Sequence, residues 1–179
     1  MTTPAVSGAQ DSASTLAVGG KPLPPVVPGP IKTPAQALRQ FRALQERINS
    51  VGEYARTHSP EDTRKFAVNL MKQMYSPQFK GLQLPDGSFV PPGGERATPG
   101  PENMAAALVG LAKAGKALQV DLIEPDSVAR SGNAWENWNL ARYVNPSGAE
   151  SFRAHERLVF DPKNGKILEH RIVAQDLDR

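Results

Sequence analysis

The sequence contains no cysteine, and this absence narrows the chemistry open to the protein. Disulfide bonds, thiolate nucleophiles and cysteine-ligated metal sites are all excluded. No apolar run approaches the roughly 18 residues of a membrane span, and the first residues lack the basic and apolar regions of a secretory signal. We therefore expect a cytoplasmic protein without a membrane partner.

Clusters of positive charge are also missing. The formal net charge is +3, and the charged residues are spread along the chain without a basic run. Nucleic-acid-binding domains usually concentrate lysine and arginine on one face, so no nucleic-acid partner is expected. No glycine-rich phosphate loop follows a predicted strand, and no G-x-S-x-G nucleophile motif occurs. The sequence therefore predicts no cofactor.

The first 32 residues differ in composition from the rest of the chain. They include six prolines and four glycines but only three charged side chains, and they show no helical or strand periodicity. Such a segment buries too little apolar surface to offset its chain entropy. We predict that residues 1–32 form a disordered leader, partly extended as polyproline II, and that residues 33–179 form one domain. A plain tail is favoured over a ligand for a proline-binding module.

Three amphipathic helices are predicted after the leader. Thr33 is a good N-cap because Pro34 follows it and Gln36 completes a capping box. Ser59 and Gly100 begin two further segments, each with proline as the next residue. Apolar residues then recur at steps of three and four, so one face of each helix is predicted to be buried.

The second half of the domain has the alternating pattern of strands. A turn at residues 85–87 predicts a small hairpin within residues 79–90. Turns at 145–148 and 161–165 separate longer alternating runs, which predict a meander of four antiparallel strands. Helices, a hairpin and then a meander indicate an α+β domain with a curved antiparallel sheet. The predicted strands cover residues 120–128, 135–144, 152–160 and 167–173.

Four short phrases lie at the ends of the predicted elements. Residues 74–79 (MYSPQF) close the second helix, and residues 84–87 (LPDG) form the hairpin turn. Residues 100–104 (GPENM) open the third helix, and residues 164–171 (NGKILEHR) belong to the final hairpin. Their order and spacing resemble the NTF2-like superfamily, in particular its SnoaL-like branch, over about residues 34–178. The resemblance implies a cone in which three N-terminal helices and a small hairpin pack on a strongly curved antiparallel sheet, with a cavity at the open end.

The resemblance implies a pocket but not one reaction. Members of the superfamily include dehydratases, isomerases, cyclases and epoxide hydrolases, and others are non-catalytic binding or dimerisation modules. SnoaL-like enzymes often have an acid after the proline that ends the second helix, where this chain has Gln78. Polyketide-cyclase-type members have an acid two residues after the histidine of the final strand, where this chain has Ile172. Neither an amide nor an alkyl side chain can take up and return a proton.

Two histidines remain as candidates for proton transfer. The turn at 161–165 predicts that Phe160 pairs with Ile167. An uninterrupted antiparallel register from that pair gives His155 and His170 the same face of the sheet. We infer that this face is the concave one, which lines the cavity. His170 and His155 are therefore the predicted catalytic residues.

Aromatic and amide side chains are predicted to contact the ligand. On the strand at 135–144, the face with Trp135, Asn139 and Tyr143 is favoured as the cavity face over the alternate residues. No third ligand accompanies the two histidines on their predicted face, so no metal site is predicted. The predicted substrate-binding residues are Trp135, Asn139, Tyr143, Tyr75 and Ile172.

These patterns favour a SnoaL-like protein whose pocket binds a small hydrophobic metabolite. Its hypothetical activity is a cofactor-free lyase, isomerase or cyclase reaction with histidine as general acid and base. The alternative is a non-catalytic NTF2-like dimerisation or interaction module. A homodimer formed through the sheet is expected. The missing acids favour the interaction module, whereas the histidines and aromatic residues favour the enzyme.

Overall fold

The computed structural model describes residues 17–18, 20–90 and 99–177. Its helices begin at the predicted caps. Thr33 Oγ1 accepts a hydrogen bond from the Gln36 N–H at 3.2 Å, and Gln36 Oε1 accepts one from the Thr33 N–H at 3.1 Å. Ser59 Oγ likewise accepts from the Asp62 N–H at 3.1 Å. Among the described residues, no helix combines the length and the apolarity needed to cross a membrane. The helices are α1 (Pro34–Ala55), α2 (Pro60–Met74) and α3 (Pro101–Lys113).

The strands form a small N-terminal ribbon and one large sheet. The ribbon pairs β1 (Ala17–Val18) with β2 (Lys21–Pro22). The large sheet has the order β3-β8-β7-β6-β4, and β5 also pairs with β6. All of its pairings are antiparallel except β3 with β8, which is parallel. The remaining strands are β3 (Leu82–Gln83), β4 (Ala117–Ile123), β5 (Ala129–Ser131), β6 (Ala134–Asn145), β7 (Gly148–Phe160) and β8 (Ile167–Leu177).

The α+β arrangement of three helices and a hairpin on a sheet is confirmed, with one strand shorter than predicted. The strand predicted at 120–128 ends at Ile123, and a 3₁₀ turn at Pro125–Ser127 follows it. Proline explains the break because it has no N–H to donate to a ladder.

Burial with a period of two defines the two faces of the sheet. On β7, Phe152, Ala154 and Leu158 are at most 4% exposed, whereas Arg153 and Arg157 are half-buried. The buried side faces the helices, and we call it the concave face; the opposite side is the convex face. Phe41 and Leu44 of α1 are fully buried in the same core. Full burial of each such side chain contributes about 1.5–3 kcal/mol to stability.

Two β-bulges between β7 and β8 correct the predicted register. Phe160 pairs with Ile167 as expected, but the register shifts by one residue directly after that pair and again between His155 and Glu156. His170 therefore pairs with Leu158 on the concave face, whereas His155 lies on the convex face. The prediction that the two histidines share a face is wrong, because one inserted residue moves every later side chain to the other side of a strand.

Part of the predicted leader packs against the domain. Val27 is buried, and its N–H donates to Gln40 Oε1 at 2.9 Å. Gln40 is fully buried on α1, and its Nε2 donates to the Gly165 carbonyl at 3.1 Å. One amide side chain thus joins the segment, the helix and the β7–β8 turn. Such an amide needs partners, because an unpaired polar group in the core costs about 1–3 kcal/mol.

A second polar side chain of α1 holds the same segment. Arg47 Nη1 donates to the Pro24 carbonyl at 3.0 Å, and burial lowers the pKa of the Arg47 guanidinium. In residues 20–32 the structure therefore differs from the predicted disordered leader, since α1 offers buried donors and acceptors to the proline-rich backbone. Residues 1–16 and 19 of that prediction lie outside the described residues.

Candidate active-site cavity

An apolar cavity of about 240 Å³ lies between α3, the hairpin around β3 and the concave face of the sheet. Four of its lining side chains contain polar atoms: Asn139, Tyr143, Glu156 and Gln175. Small-molecule sites typically combine an apolar wall with a few placed polar groups, so this cavity is the candidate site. Its apolar lining consists of Leu82, Leu84, Val90, Met104, Ala107, Leu108, Leu111, Leu118, Val120, Ala141, Phe152, Ala154 and Ile172.

Among the described residues, Glu156 is the one carboxylate in this lining. It is 5% exposed because it occupies a concave-face position of β7, in alternation with apolar residues. Its Oε2 accepts a hydrogen bond of 2.6 Å from Nε2 of Gln45, a buried residue of α1. An ionised carboxylate at an apolar wall needs such donors.

His170 lies behind Glu156, away from the cavity. The distance from His170 Nε2 to Glu156 Oε1 is 3.6 Å, and the two side chains are 1% and 7% exposed. On the far side of the ring, His170 Nδ1 lies 2.8 Å from the hydroxyl of Tyr75, which is fully buried. His170 Nε2 itself has no hydrogen-bond partner among the described residues. Glu156, His170 and Tyr75 thus form a buried row, which we call the acid–base chain, with a hydrogen bond between Tyr75 and His170 and a longer contact between His170 and Glu156.

The proton positions in the acid–base chain follow from its partners. Burial, and secondarily the charge of Glu156, raises the pKa of Tyr75 well above 10, so the phenol stays protonated. In the described part of the chain, that hydroxyl has His170 Nδ1 as its hydrogen-bond partner, and a buried O–H without an acceptor is costly. Nδ1 is therefore the acceptor, and a neutral ring has its proton on Nε2, which faces Glu156.

Asn139 supplies the second polar group of the cavity wall. It is completely buried on β6, yet neither Oδ1 nor Nδ2 has a hydrogen-bond partner among the described residues. In the β6–β7 register Asn139 pairs with Ala154. Glu156, two residues further along β7, therefore shares its face as a diagonal neighbour. A buried amide with all its hydrogen-bonding capacity free is rare in proteins and indicates a place where a ligand group or water binds.

The other predicted substrate-binding residues lie at different distances from the cavity. Tyr143 and Ile172 line it, and the Tyr143 ring packs against Phe152 with centroids 5.0 Å apart. Burial raises the pKa of Tyr143, while a hydrogen bond to Gln175 opposes the shift. Trp135 is buried on the concave face but is not among the lining residues of the cavity. Tyr75 does not line the cavity either, and it is linked to Glu156 in the cavity wall through His170. The roles of these residues stay predictions.

His155 is not brought to the cavity. Its Nε2 lies 3.1 Å from Glu136 Oε2 on the convex face, and its ring stacks on Trp138 with centroids 4.8 Å apart. The Arg153 guanidinium lies over the Trp138 ring, 4.9 Å from the ring centroid. His155 thus belongs to a half-buried polar cluster on the opposite side of the sheet from His170.

Glu156 and Gln45 are the site residues that the sequence reasoning missed. A signal for Glu156 was present, because Phe152, Ala154 and Leu158 alternate around it and mark its position as part of an apolar face. A lone carboxylate on such a face is unusual, because buried acids are rare without partners. Gln45 had no comparable signal, since its hydrogen bond to Glu156 joins residues far apart in the sequence.

A second, larger groove has no comparable chemistry. It measures about 580 Å³ and lies between the end of α1, the start of β4 and the β6–β7 turn. Its charged lining residues, Glu53 and Arg56, are exposed. No buried titratable group lies in its wall, so the smaller apolar cavity remains the candidate site despite its size. Among the described residues, no group of three or more histidine and carboxylate side chains is arranged to hold a metal ion.

Solved structures share this fold at low sequence identity. The iota-carbonic anhydrase of a cyanobacterium, solved with bicarbonate, is 16% identical with a TM-score of 0.51, over 84% of this chain and 97% of that one. An NTF2-like protein of unknown function from Burkholderia pseudomallei is 16% identical with a TM-score of 0.41, over 72% and 91%. An LEH-like epoxide hydrolase of M. tuberculosis is 12% identical with a TM-score of 0.39, over 75% and 85%.

The chain has an NTF2-like fold. The predicted cone of three helices and a hairpin on a curved sheet is thereby confirmed. At 16% identity the likeness to the carbonic anhydrase extends to the fold alone. No family model matches the sequence, and no curated protein is significantly similar to it. Function must therefore be argued from the cavity itself.

Proposed function

We propose that the NTF2-like domain is a SnoaL-like, cofactor-free enzyme that moves a proton within a small, mainly apolar molecule. The reaction class is a lyase, isomerase or cyclase reaction. The observation that carries this proposal is the acid–base chain, whose carboxylate end lies in the wall of an apolar cavity. In this proposal Glu156 exchanges the proton with the substrate, and His170 is a positioning residue behind it.

The wall groups match the needs of proton abstraction next to a carbonyl. Glu156 removes a proton from the carbon beside the carbonyl, and the electron pair of that C–H bond becomes the enolate. Asn139 Nδ2 donates a hydrogen bond to the oxygen on which the negative charge develops. In a substrate with a β,γ C=C bond, Glu156 then gives a proton to the γ-carbon as the C=C bond moves to the α,β position, so the net reaction is an isomerisation. While the carboxyl is protonated its proton exchanges with water, so deuterium from D₂O also returns to the α-carbon. General acid–base catalysis of this kind contributes roughly 10²–10⁴-fold.

The acid–base chain supports each stage of this cycle. His170 Nε2 lies 3.6 Å from Glu156 Oε1, and Gln45 Nε2 donates to the other carboxylate oxygen at 2.6 Å. Tyr75 fixes the ring through Nδ1, so the ring cannot turn away. Such supporting contacts hold a catalytic group in its productive geometry.

The size of the cavity limits the substrate. Ligand pockets usually measure about 300–1,000 Å³, and this one measures about 240 Å³. A molecule of about ten non-hydrogen atoms, with one carbonyl group, is therefore the expected substrate, on the scale of these pockets. Most of its surface should be apolar, because aliphatic side chains form most of the wall.

Deuterium exchange tests the proposal without a known product. Small enolisable ketones and aldehydes are first screened for binding by thermal shift, and each hit is incubated with the enzyme in D₂O. We expect wild type to catalyse deuterium uptake at the α-carbon, measured by NMR, and Glu156→Gln to reduce the rate by about 100-fold or more. Glu136→Gln is the matched control, because it removes the carboxylate that faces His155 on the convex side. Equal exchange in wild type and Glu156→Gln would refute the proposal.

A non-catalytic homodimer is the second candidate, and one feature favours it. Leu122 is 57% exposed and pairs with Leu140 on the convex face, close to Trp138. An exposed apolar strip on a sheet is typical of an interface. Sedimentation of wild type and Leu122→Asp tests this candidate. It predicts a dimer that Leu122→Asp dissociates, together with no ligand in the cavity.

A further inference from the structure

A groove of about 410 Å³ lies at the β3 edge of the sheet, on the convex side of the strands that line the cavity. Among the described residues, its lining includes three cations, Lys80, Arg157 and Arg171, and one carboxylate, Glu169. Within that part of the chain no ion pair joins two of these four side chains, and Arg157 contacts Glu136, which lies outside the groove. The described lining therefore has a surplus of positive charge.

The two arginines of the groove repel each other across neighbouring strands. Arg157 of β7 and Arg171 of β8 are directly paired in the register, and like charges at directly opposed positions destabilise a sheet. Arg157 has a loose contact of 3.8 Å with Glu136, an acid that also serves His155. Arg171 has no acidic partner among the described residues.

The Arg171 guanidinium also has an unsatisfied donor. Its Nε is buried, yet it has no hydrogen-bond partner in the described part of the chain. A buried donor without a partner is costly, and it commonly marks the place of a bound ion or water. The unpaired charge and the unpaired donor belong to the same side chain, so both point to an anion beside Arg171.

The rest of the groove adds a flat apolar contact. Phe89 lies in its lining and is 49% exposed, although most phenylalanine side chains are largely buried. Gln83 pairs with Arg171 in the parallel β3–β8 register and extends the row of polar side chains. The groove thus combines a pair of guanidinium groups with an exposed ring.

We propose that this groove is a binding site for a small molecule with a carboxylate or phosphate group on an aromatic body. Arg157 and Arg171 bind the oxyanion, since guanidinium groups present paired N–H donors that match two oxygens. Phe89 packs against the aromatic body. The bound anion also relieves the repulsion between the two arginines. His170 also borders this groove, but none of the groove's lining residues lines the cavity. Anion binding here therefore does not depend on the proposed activity.

NMR titration of the full chain tests the site. The probes are phenyl phosphate, benzoate and inorganic phosphate, with benzamide as the neutral control. We expect phenyl phosphate or benzoate to shift the backbone amides of residues 80–83, 89–90 and 169–171, with inorganic phosphate binding more weakly and benzamide not at all. The stronger of the first two identifies the oxyanion that the site prefers.

Three variants separate a built site from general charge attraction. Arg171→Gln and Arg157→Gln should each weaken binding by at least 10-fold, and both should fold normally because each removes a like-charge repulsion. Arg42→Gln removes an exposed cation from α1 and should leave the affinity unchanged. Unchanged binding in Arg171→Gln, an equal loss in Arg42→Gln, or equal binding of benzamide would overturn the proposal. A groove covered by a second copy in solution would give no titration at all, and this outcome would overturn it too.

Discussion

Two glutamate–histidine pairs lie on opposite faces of the same three strands. Glu156 and His170 form the concave pair, separated by 3.6 Å and at most 7% exposed. Glu136 and His155 form the convex pair, separated by 3.1 Å with side chains 21–25% exposed. The shorter distance belongs to the convex pair, for which no function is proposed. The two pairs differ mainly in burial: water can reach the convex pair, whereas the concave pair is enclosed by protein.

The neighbours of each pair explain this contrast. In the concave pair, Gln45 donates to Glu156, and Tyr75 forms a hydrogen bond with His170. Both partners are buried, so water cannot take their place. In the convex pair, the Glu136 carboxylate also contacts Arg157, and the His155 ring stacks on Trp138. Water screens exposed pairs strongly, so their contribution to stability is typically below 1 kcal/mol. A buried network costs several times more when one member is removed.

The largest expected effect is on stability. His170→Ala leaves the Tyr75 hydroxyl and the Glu156 carboxylate without their partner inside the core, and it creates a cavity. We expect a loss of about 3 kcal/mol in the free energy of unfolding. His155→Ala should cost about 1 kcal/mol or less. Urea denaturation of both variants measures the difference. Similar losses in the two would show that the pairs are energetically equivalent.

The next effect concerns catalysis and uses the conservative variant of each histidine. His170→Gln keeps a polar side chain but cannot hold both neighbours in place. In the deuterium-exchange assay we expect it to reduce turnover by about 10-fold while KM changes little, because a positioning residue acts on the transition state. His155→Gln should match wild type. A shift in KM alone for His170→Gln would instead assign the residue to ligand binding.

Alkaline pH provides a third, smaller contrast. The pKa of Tyr75 is raised in the folded state. The contribution of Tyr75 to the free energy of unfolding is therefore fully present below the unfolded-state pKa of about 10, and it is lost as the pH rises above that value. Between pH 9 and 11, wild type should therefore lose about 1 kcal/mol of stability that Tyr75→Phe does not lose. Tyr143→Phe is the matched control, since its pKa is raised less. Identical pH curves for the two variants would contradict the burial of the phenol in the acid–base chain.

The smallest effect is expected on the convex face. Arg153 and Glu124 form an ion pair of 2.8 Å in which both side chains are more than a third exposed. A double-mutant cycle with Arg153→Gln and Glu124→Gln should give a coupling of about 0.5 kcal/mol that falls as salt is added. A salt-independent coupling of about 2 kcal/mol would show that this face is shielded from water, as it would be in a dimer.

The sequence predicted the elements better than the arrangement of the site. The caps at Thr33 and Ser59 and the turn between Phe160 and Ile167 are local signals, and all three are confirmed. The face of His155 was predicted wrongly because it depends on bulges, which no residue pattern in β7 or β8 marks. The hydrogen bond from Gln45 to Glu156 joins two distant segments, and local periodicity has no information on such pairs.

The packed part of the leader was missed for a related reason. Proline-rich sequence is typical of disorder, and the composition of residues 20–32 gave no sign of an anchor. The anchor lies on α1, where Gln40 and Arg47 occupy buried positions of a helix face that otherwise reads as apolar. Of the predicted substrate-binding residues, Asn139, Tyr143 and Ile172 line the cavity, and their roles stay predictions.

The bulges in the last hairpin affect how this chain must be aligned with its relatives. An ungapped alignment through β7 and β8 would equate residues whose side chains point to opposite sides of the sheet. A cavity residue such as Ile172 would then be matched to a relative's surface residue, and a missing acid could be an artefact of that match. Placing a one-residue gap at each register shift restores the equivalence of faces. Loss of one residue from β8 by mutation would have the corresponding effect in the molecule, because it would exchange His170 and Arg171 between the concave and the convex face.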